Sequence, residues 1–311
     1  MTITLTDGGI ETRIIYEFKY SIDDFESFEL LEDESGRDIL RQIYQSYADV
    51  GVRCGLPIQL GTPTWRASRK WTNDVVRVNA AAVELVCEVA RHASGARIIV
   101  AGVIGPASDG YAHGEALNAD DAFAYHCEQA QTLAQRNVDL LYAPTFPALS
   151  ELYGVARAMA QTGRPYVVAP MLHPDGTMLD GTALAEAIAS IDAGVSPGPQ
   201  HYMIGCLYPT HAQSALRALR AARPDIVARV RGLKANASPL SLPKNSINWI
   251  IWRQPIARLG RETKSRAHGN LISPFWAAVV GRTLATLKRW PKKRSKGDQM
   301  RKSISVTSSL G

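Results

Sequence analysis

Short runs of β-branched and apolar residues alternate along this chain with longer stretches in which apolar positions recur at helical spacing. The runs are "ITLTD" from residue 3, "RCGLPIQL" from 53, "RIIVAGVIG" from 97, "VDLLYAPTF" from 138, "PYVVAP" from 165, "HYMIGC" from 201 and "ARVRGLKAN" from 228. Between them lie segments such as "AAAVELVCEVARHA", "DAFAYHCEQAQTLAQ" and "ALAEAIASIDA", each long enough to cross from one strand to a parallel neighbour. This alternation predicts an α/β fold with a parallel sheet and right-handed crossovers. Seven such units before residue 241 point to a (β/α)8 TIM barrel, with a doubly wound open sheet as the alternative. After the seventh strand the pattern fails. Residues 242–311 show no clear period of two apart from a short "WAAVV", so the barrel is expected to be incomplete or irregular there, with the tail outside it.

In a barrel the chemistry gathers where the strands end. Those ends read "DGGIET" (7–12), "LGTPTWR" (60–66), "GVIGP" (102–106), "APTFPALSE" (143–151), "PMLHPDGT" (170–177), "GCLYPTH" (205–211) and "KANASP" (234–239). Gly, Pro, Asp and Thr dominate them, as suits tight turns that bring backbone close to a ligand. No GxGxxG follows a strand and no GxxxxGK[ST] occurs, so a nucleotide site has no support.

Charge divides the chain in two. Residues 1–241 hold 20 Lys and Arg against 27 Asp and Glu, whereas residues 242–311 hold 15 against 2, so the net charge of +6 belongs to the tail. The body reads as a mildly acidic barrel domain (1–241) and the tail (242–311) as a basic, atypical segment in place of a last helix and eighth strand. Four of the six tryptophans fall in that segment, a change of character such as a shifted reading frame or a fused segment produces. No apolar run reaches the ~18–20 residues of a spanning helix, and the N-terminus lacks the features of a secretory signal, so no membrane role is expected and the cytoplasm is the default. Cys54, Cys87, Cys127 and Cys206 are too few and too scattered for a disulfide framework.

The strand-end motifs, in this order over residues 5–240, resemble the homocysteine S-methyltransferase family of zinc-dependent barrels, which includes betaine-homocysteine and S-methylmethionine-type enzymes. "DGGIET" is similar to the family's first-strand signature, "YADVGVRCGLPIQLGTPTW" to its second strand, "VAGVIGP" to its third, and "IGCLYPTHAQSAL" to the strand that carries the first zinc cysteine. The resemblance implies methyl transfer from a small methyl donor to the thiol of homocysteine, giving methionine. It implies Zn²⁺ held by three cysteine sulfurs with a fourth position open, an arrangement that turns a bound thiol into a thiolate. Cys206 is the first of those ligands by resemblance. Asp7 and Glu11 are expected to meet the α-ammonium group, Gly8 and Gly9 to offer backbone groups, and Thr62 and Asn236 to complete the substrate site. Asp7 and Glu11 also suit the capping of a helix that follows the first strand, with ligand binding the favoured reading. Trp65 either lines the pocket or packs on the rim.

Two departures stand against the family pattern. Pro144 occupies the place of a substrate-binding glutamate on the fourth strand, which points to a changed thiol substrate. No cysteine occurs after Cys206, so the Gly-Gly-Cys-Cys of the family's last strand, source of the other two zinc ligands, is missing. His201, five residues before Cys206, falls on the opposite strand face, and His173 and His211 stand in loops. Zinc binding is therefore expected to be weak or absent and methyl transfer impaired. The alternative function is nucleic-acid or anionic-surface binding by the basic tail, which carries tryptophans and clustered Lys and Arg but no recognised motif.

Overall fold

The computed structural model describes residues 3–236 and a strand at 278–280. Its elements, in chain order, are β1 (Thr4–Thr6), α1 (Ile10–Tyr16), α2 (Glu34–Cys54), β2 (Ile58–Gly61), α3 (Val75–His92), β3 (Ile98–Val103), α4 (Ala119–Ala134), β4 (Leu140–Phe146), α5 (Leu149–Gln161), β5 (Tyr166–Pro170), α6 (Leu184–Gly194), β6 (His201–Leu207), α7 (Pro209–Ala222), β7 (Val230–Ala235) and β8 (Ala278–Val280). The strands pair in sequence order around a closed barrel, and β1 to β7 are parallel. An open doubly wound sheet is thereby excluded.

Local chemistry sets the helix limits. Asp33 accepts the Gly36 N–H at 2.7 Å and starts α2, and Gly55, in the left-handed region at φ 63°, stops it. "RCG" at 53–55 therefore finishes a helix rather than opening β2. The helical stripe Leu40, Ile43, Tyr44, Tyr47, Ala48 and Gly51 runs unbroken to that glycine and overrides the β-like composition that follows it. Asp74 and Asn118 cap α3 and α4 in the same way, and Pro209 opens α7.

Alternate positions on β3 to β6 separate into two cores. Ala101, Val103, Leu140, Tyr142, Val167, Ala169 and Met203 form one cluster inside the barrel. Val100, Leu141, Ala143, Tyr166, Val168, Tyr202 and Ile204, out of phase with them, pack outward with the helices. A Cβ at Gly232 would collide with the Met203 side chain at 2.5 Å, so this glycine leaves Met203 room to fill the interior.

The barrel is irregular after the seventh strand, as its sequence predicts. Three residues of the basic segment nevertheless pair with both flanking strands, correcting the expectation that all of it lies outside. Leu5 and Leu233 both face Val279, Thr6 faces Ala278, and both ladders are antiparallel. "WAAVV" was the sole strand-like signal in that segment. The remainder of 242–311, on which the nucleic-acid reading rests, lies outside the described residues. Among the described residues no helix is long and apolar enough to cross a membrane.

Candidate functional site

A cavity of about 200 Å³ opens at the C-terminal mouth of the barrel. That is below the ~300–1,000 Å³ of sites for drug-sized molecules and suits a small metabolite. Asp7, Gly8, Gly9, Glu11, Thr62 and Cys206 all line it, so six predicted positions from three strand ends share one space. Asn236 does not line it. From β7 the cavity receives Lys234, while Asn236, two residues later, donates its backbone N–H to the Leu207 carbonyl at 3.0 Å.

Asp7 is buried and sits at the centre of the polar structure. One carboxylate oxygen accepts the Gly61 N–H at 2.6 Å and the other accepts Lys234 Nζ at 2.7 Å. The Gly61 carbonyl accepts the Tyr44 hydroxyl at 2.7 Å, so both backbone groups of that residue are fixed at the rim. Burial alone would depress the Lys234 pKa, but the charge and hydrogen bond of Asp7 outweigh it and hold the ammonium above the ordinary lysine range. Glu11 differs. Desolvation pushes its carboxyl above the usual range, against the opposing pull of the 3.0 Å hydrogen bond from Ser27 and the nearby Lys234 charge. Asp7 does not cap α1, whose N-cap is Gly9 with no side-chain hydrogen bond, whereas Glu11 stands in the first turn of that helix, where a carboxylate also suits the helix dipole. Thr62 shares a 2.6 Å hydrogen bond with Thr64 and accepts the Val103 N–H at 3.0 Å, tying β2 to β3 below the mouth.

Two strand ends are re-aimed by backbone irregularities. Thr145 on β4 and Cys206 on β6 both adopt positive φ, 66° and 52°, where the strand registers slip between Pro144 and Phe146 and between Gly205 and Leu207. A bulge at a barrel rim turns a side chain off the regular alternation, and a non-glycine residue held there costs on the order of 1–3 kcal/mol. Both residues line the cavity. Thr145 accepts the Trp65 indole N–H at 2.8 Å, and Phe25 packs edge-on to that indole. Trp65 thus lines the pocket and is anchored to the rim at once. Pro144 also lines the cavity, where it offers no charge to a ligand.

Among the described residues the donor set does not fit a zinc centre. Cys206 is the one thiol lining the cavity, and no three His, Cys, Asp or Glu side chains among the described residues are grouped to hold a metal. His173 is exposed in the loop after β5, whereas His211 stands not in a loop but in the first turn of α7, where it packs edge-on to Tyr208. His201 opens β6 at the far end of the barrel, five strand residues or ~16 Å from Cys206. Cys87 and Cys127 bond at the outside to the Asn137 carbonyl and to Gln161, and Cys54 ends α2.

The closed barrel and the small cavity at its C-terminal mouth define an α/β-barrel protein. The sequence model of the homocysteine S-methyltransferase family matches residues 4–281, past the last of the strand-end motifs and through β8, and the chain belongs to that family. An S-methylmethionine--homocysteine S-methyltransferase, BHMT2, of Pongo abelii is 27% identical over 159 residues, covering 51% of this chain and 41% of the relative. The chain thus aligns with less than half of that relative's length. In fold it is similar to the Escherichia coli homocysteine methyltransferase MmuM. The metallated form gives a TM-score of 0.63 at 18% identity, over 76% of this chain and 84% of that one. The oxidized form gives 0.60 at 20% identity, over 71% and 78%.

Sequence reasoning missed Lys234, Tyr142 and Thr145. A lysine in "RGLKAN" reads as a solvated strand end, and the closure of the sheet turns it inward.

Proposed function

We propose that this chain is a homocysteine S-methyltransferase-like protein that binds homocysteine or a related small amino-acid thiol at the mouth of the barrel, beside a methyl donor. Its methyl transfer to that thiol, which would yield methionine, is impaired by the loss of two of three zinc thiolates. The observation that carries this reading is the convergence of Asp7, Glu11, Thr62 and Cys206 on one cavity, in a chain that belongs to this family. In the reaction the thiol sulfur attacks the methyl carbon, a sulfur–carbon bond forms, the donor leaves with the electrons of its own bond, and the thiol proton passes to solvent. Glu11 supplies a partly buried carboxylate for the substrate ammonium, and the unshared lone pairs of Asp7 supply a second acceptor. Trp65, Phe25 and Val103 form an apolar wall that limits water at the reacting centre. The four free cysteines support a reducing setting, the cytoplasm.

The test is zinc content after dialysis, together with methionine formation from homocysteine and S-methylmethionine or betaine. Less than one zinc per chain is expected, with turnover at least ~10²-fold below a family member that keeps all three cysteines, because even supporting residues around a metal are worth 10–100-fold. Stoichiometric zinc that disappears in Cys206→Ser, with full activity before the change, refutes the impairment.

A further inference from the structure

Two polar groups on the cavity floor are unused by this reading. Tyr142 follows Leu140 on the inward face of β4 and is 2% exposed, yet its hydroxyl finds no hydrogen-bond partner among the described residues. Leaving a buried hydroxyl unsatisfied is costly, and folded proteins seldom do so without a ligand or water to meet it. Lys234 Nζ lies 6.0 Å from the centre of the same ring. It spends one hydrogen bond on Asp7, and an ammonium has three to give, so two donors are unengaged among the described residues.

We infer that Lys234 and Tyr142 form the seat for the α-carboxylate of an amino-acid ligand, opposite Glu11, which receives its ammonium group. The chemistry of the groups sets this polarity. A lysine ammonium only donates hydrogen bonds and a neutral phenol can donate its own, so together they suit an acceptor with negative charge. An ionised glutamate only accepts, so it suits a cation. All three line one small cavity, and the Lys234 charge is near enough to act on Glu11. A donor end and an acceptor end that line one small cavity match a zwitterion. Pro144 leaves the fourth strand without a carboxylate at the mouth, which makes the Lys234–Tyr142 end the more decisive for recognition. The thiol at the ligand's other end rests on the function proposed above. The carboxylate seat does not, and the experiment separates the two.

Calorimetric titration of the full chain would use four probes: homocysteine; 2-aminopentanoate, an α-amino acid with no thiol; 3-mercaptopropylamine, which is homocysteine without its carboxylate; and 4-mercaptobutanoate, which lacks the amine. Wild type should bind the two α-amino acids at least ~10-fold more tightly than either truncated thiol, the scale of one charge-assisted hydrogen bond. Tyr142→Phe keeps the ring and its packing and should weaken both α-amino acids ~10-fold. Lys234→Met should weaken them 10-fold or more, and neither change should alter 3-mercaptopropylamine. An unchanged affinity of Tyr142→Phe for homocysteine, with an unchanged thermal midpoint, overturns the seat. So does equal binding of homocysteine and 3-mercaptopropylamine to wild type, which would leave the thiol reading intact. If 2-aminopentanoate binds as tightly as homocysteine and with the same dependence on both residues, the seat stands and the thiol reading falls.

Discussion

Glu11 is the residue whose chemistry most depends on what enters the cavity. Burial raises its carboxyl pKa, so between the ordinary glutamate value and the raised one the folded protein keeps a proton that the unfolded chain has lost. The sign follows: the empty protein loses stability as pH rises through that window, and Glu11→Gln should flatten the slope. Urea midpoints from about pH 4.3 to neutrality check this, and parallel curves for wild type and variant would show the burial has no energetic consequence. An entering ammonium group favours the charged carboxylate, so affinity for the amine probe should rise with pH over the same window and binding should release a proton. A second residue-scale test concerns Gly105, where a Cβ would overlap the Trp65 carbonyl and crowd its indole at 2.7 Å. Gly105→Ala should cost ~1–3 kcal/mol as an overpacked contact, read as a lowered urea midpoint, and weaken ligand binding by displacing Trp65. Asp7, Glu11 and Cys206 were legible in the sequence because each ends or follows a strand inside a recognisable motif. Tyr142 was not, because a tyrosine in "LLYAP" reads as ordinary strand core until its hydroxyl is seen to lack a partner.

Strands and helices were the best-read part of the chain. Each of the seven parallel strands overlaps one apolar run of the sequence, with β2 and β6 reaching one residue beyond theirs, since a strand buried on both faces has to be apolar along its length. The boundaries failed where tertiary packing overruled composition, as at "RCG", and where a bulge changed the phase. Nothing in "IGCLY" marks Cys206 for positive φ, because the slip arises from the mismatch between β6 and β7. The capping of α2 is testable as an element: Asp33→Ala removes the acceptor for the Gly36 N–H and should cost ~1 kcal/mol in thermal unfolding. The opening of β6 carries a further consequence. Burial, with the charges of Arg231 and Arg229, pushes the His201 pKa down to about 4. The unfolded chain takes up this proton first, so stability should fall as pH drops from about 6.5 through about 4. His201→Gln should remove that part of the acid loss, and an unchanged acid limb would show that the ring is solvated in solution.

For the molecule as a whole, closure is the least secure step. Seven parallel strands leave the edges of β1 and β7 unpaired, and three residues of β8 cover both. Ending the chain after Ser241 should expose these edges and lower the unfolding midpoint, with concentration-dependent association by light scattering. A truncated chain that remains monomeric with an unchanged midpoint would show that the β8 ladders contribute nothing. The sequence showed where regular alternation stopped but not that "WAAVV" would be recruited, because a short apolar run carries no information about its direction. Direction decides what a closing strand can deliver. Thr6, at the mouth end of β1, faces Ala278, and Thr4, at the base, faces Val280. The last strand therefore travels downward, so that only its Ala278 end lies at the mouth with Cys206. A ligand supplied by this strand itself would have to stand at Ala278, or the strand be exchanged for one that runs upward.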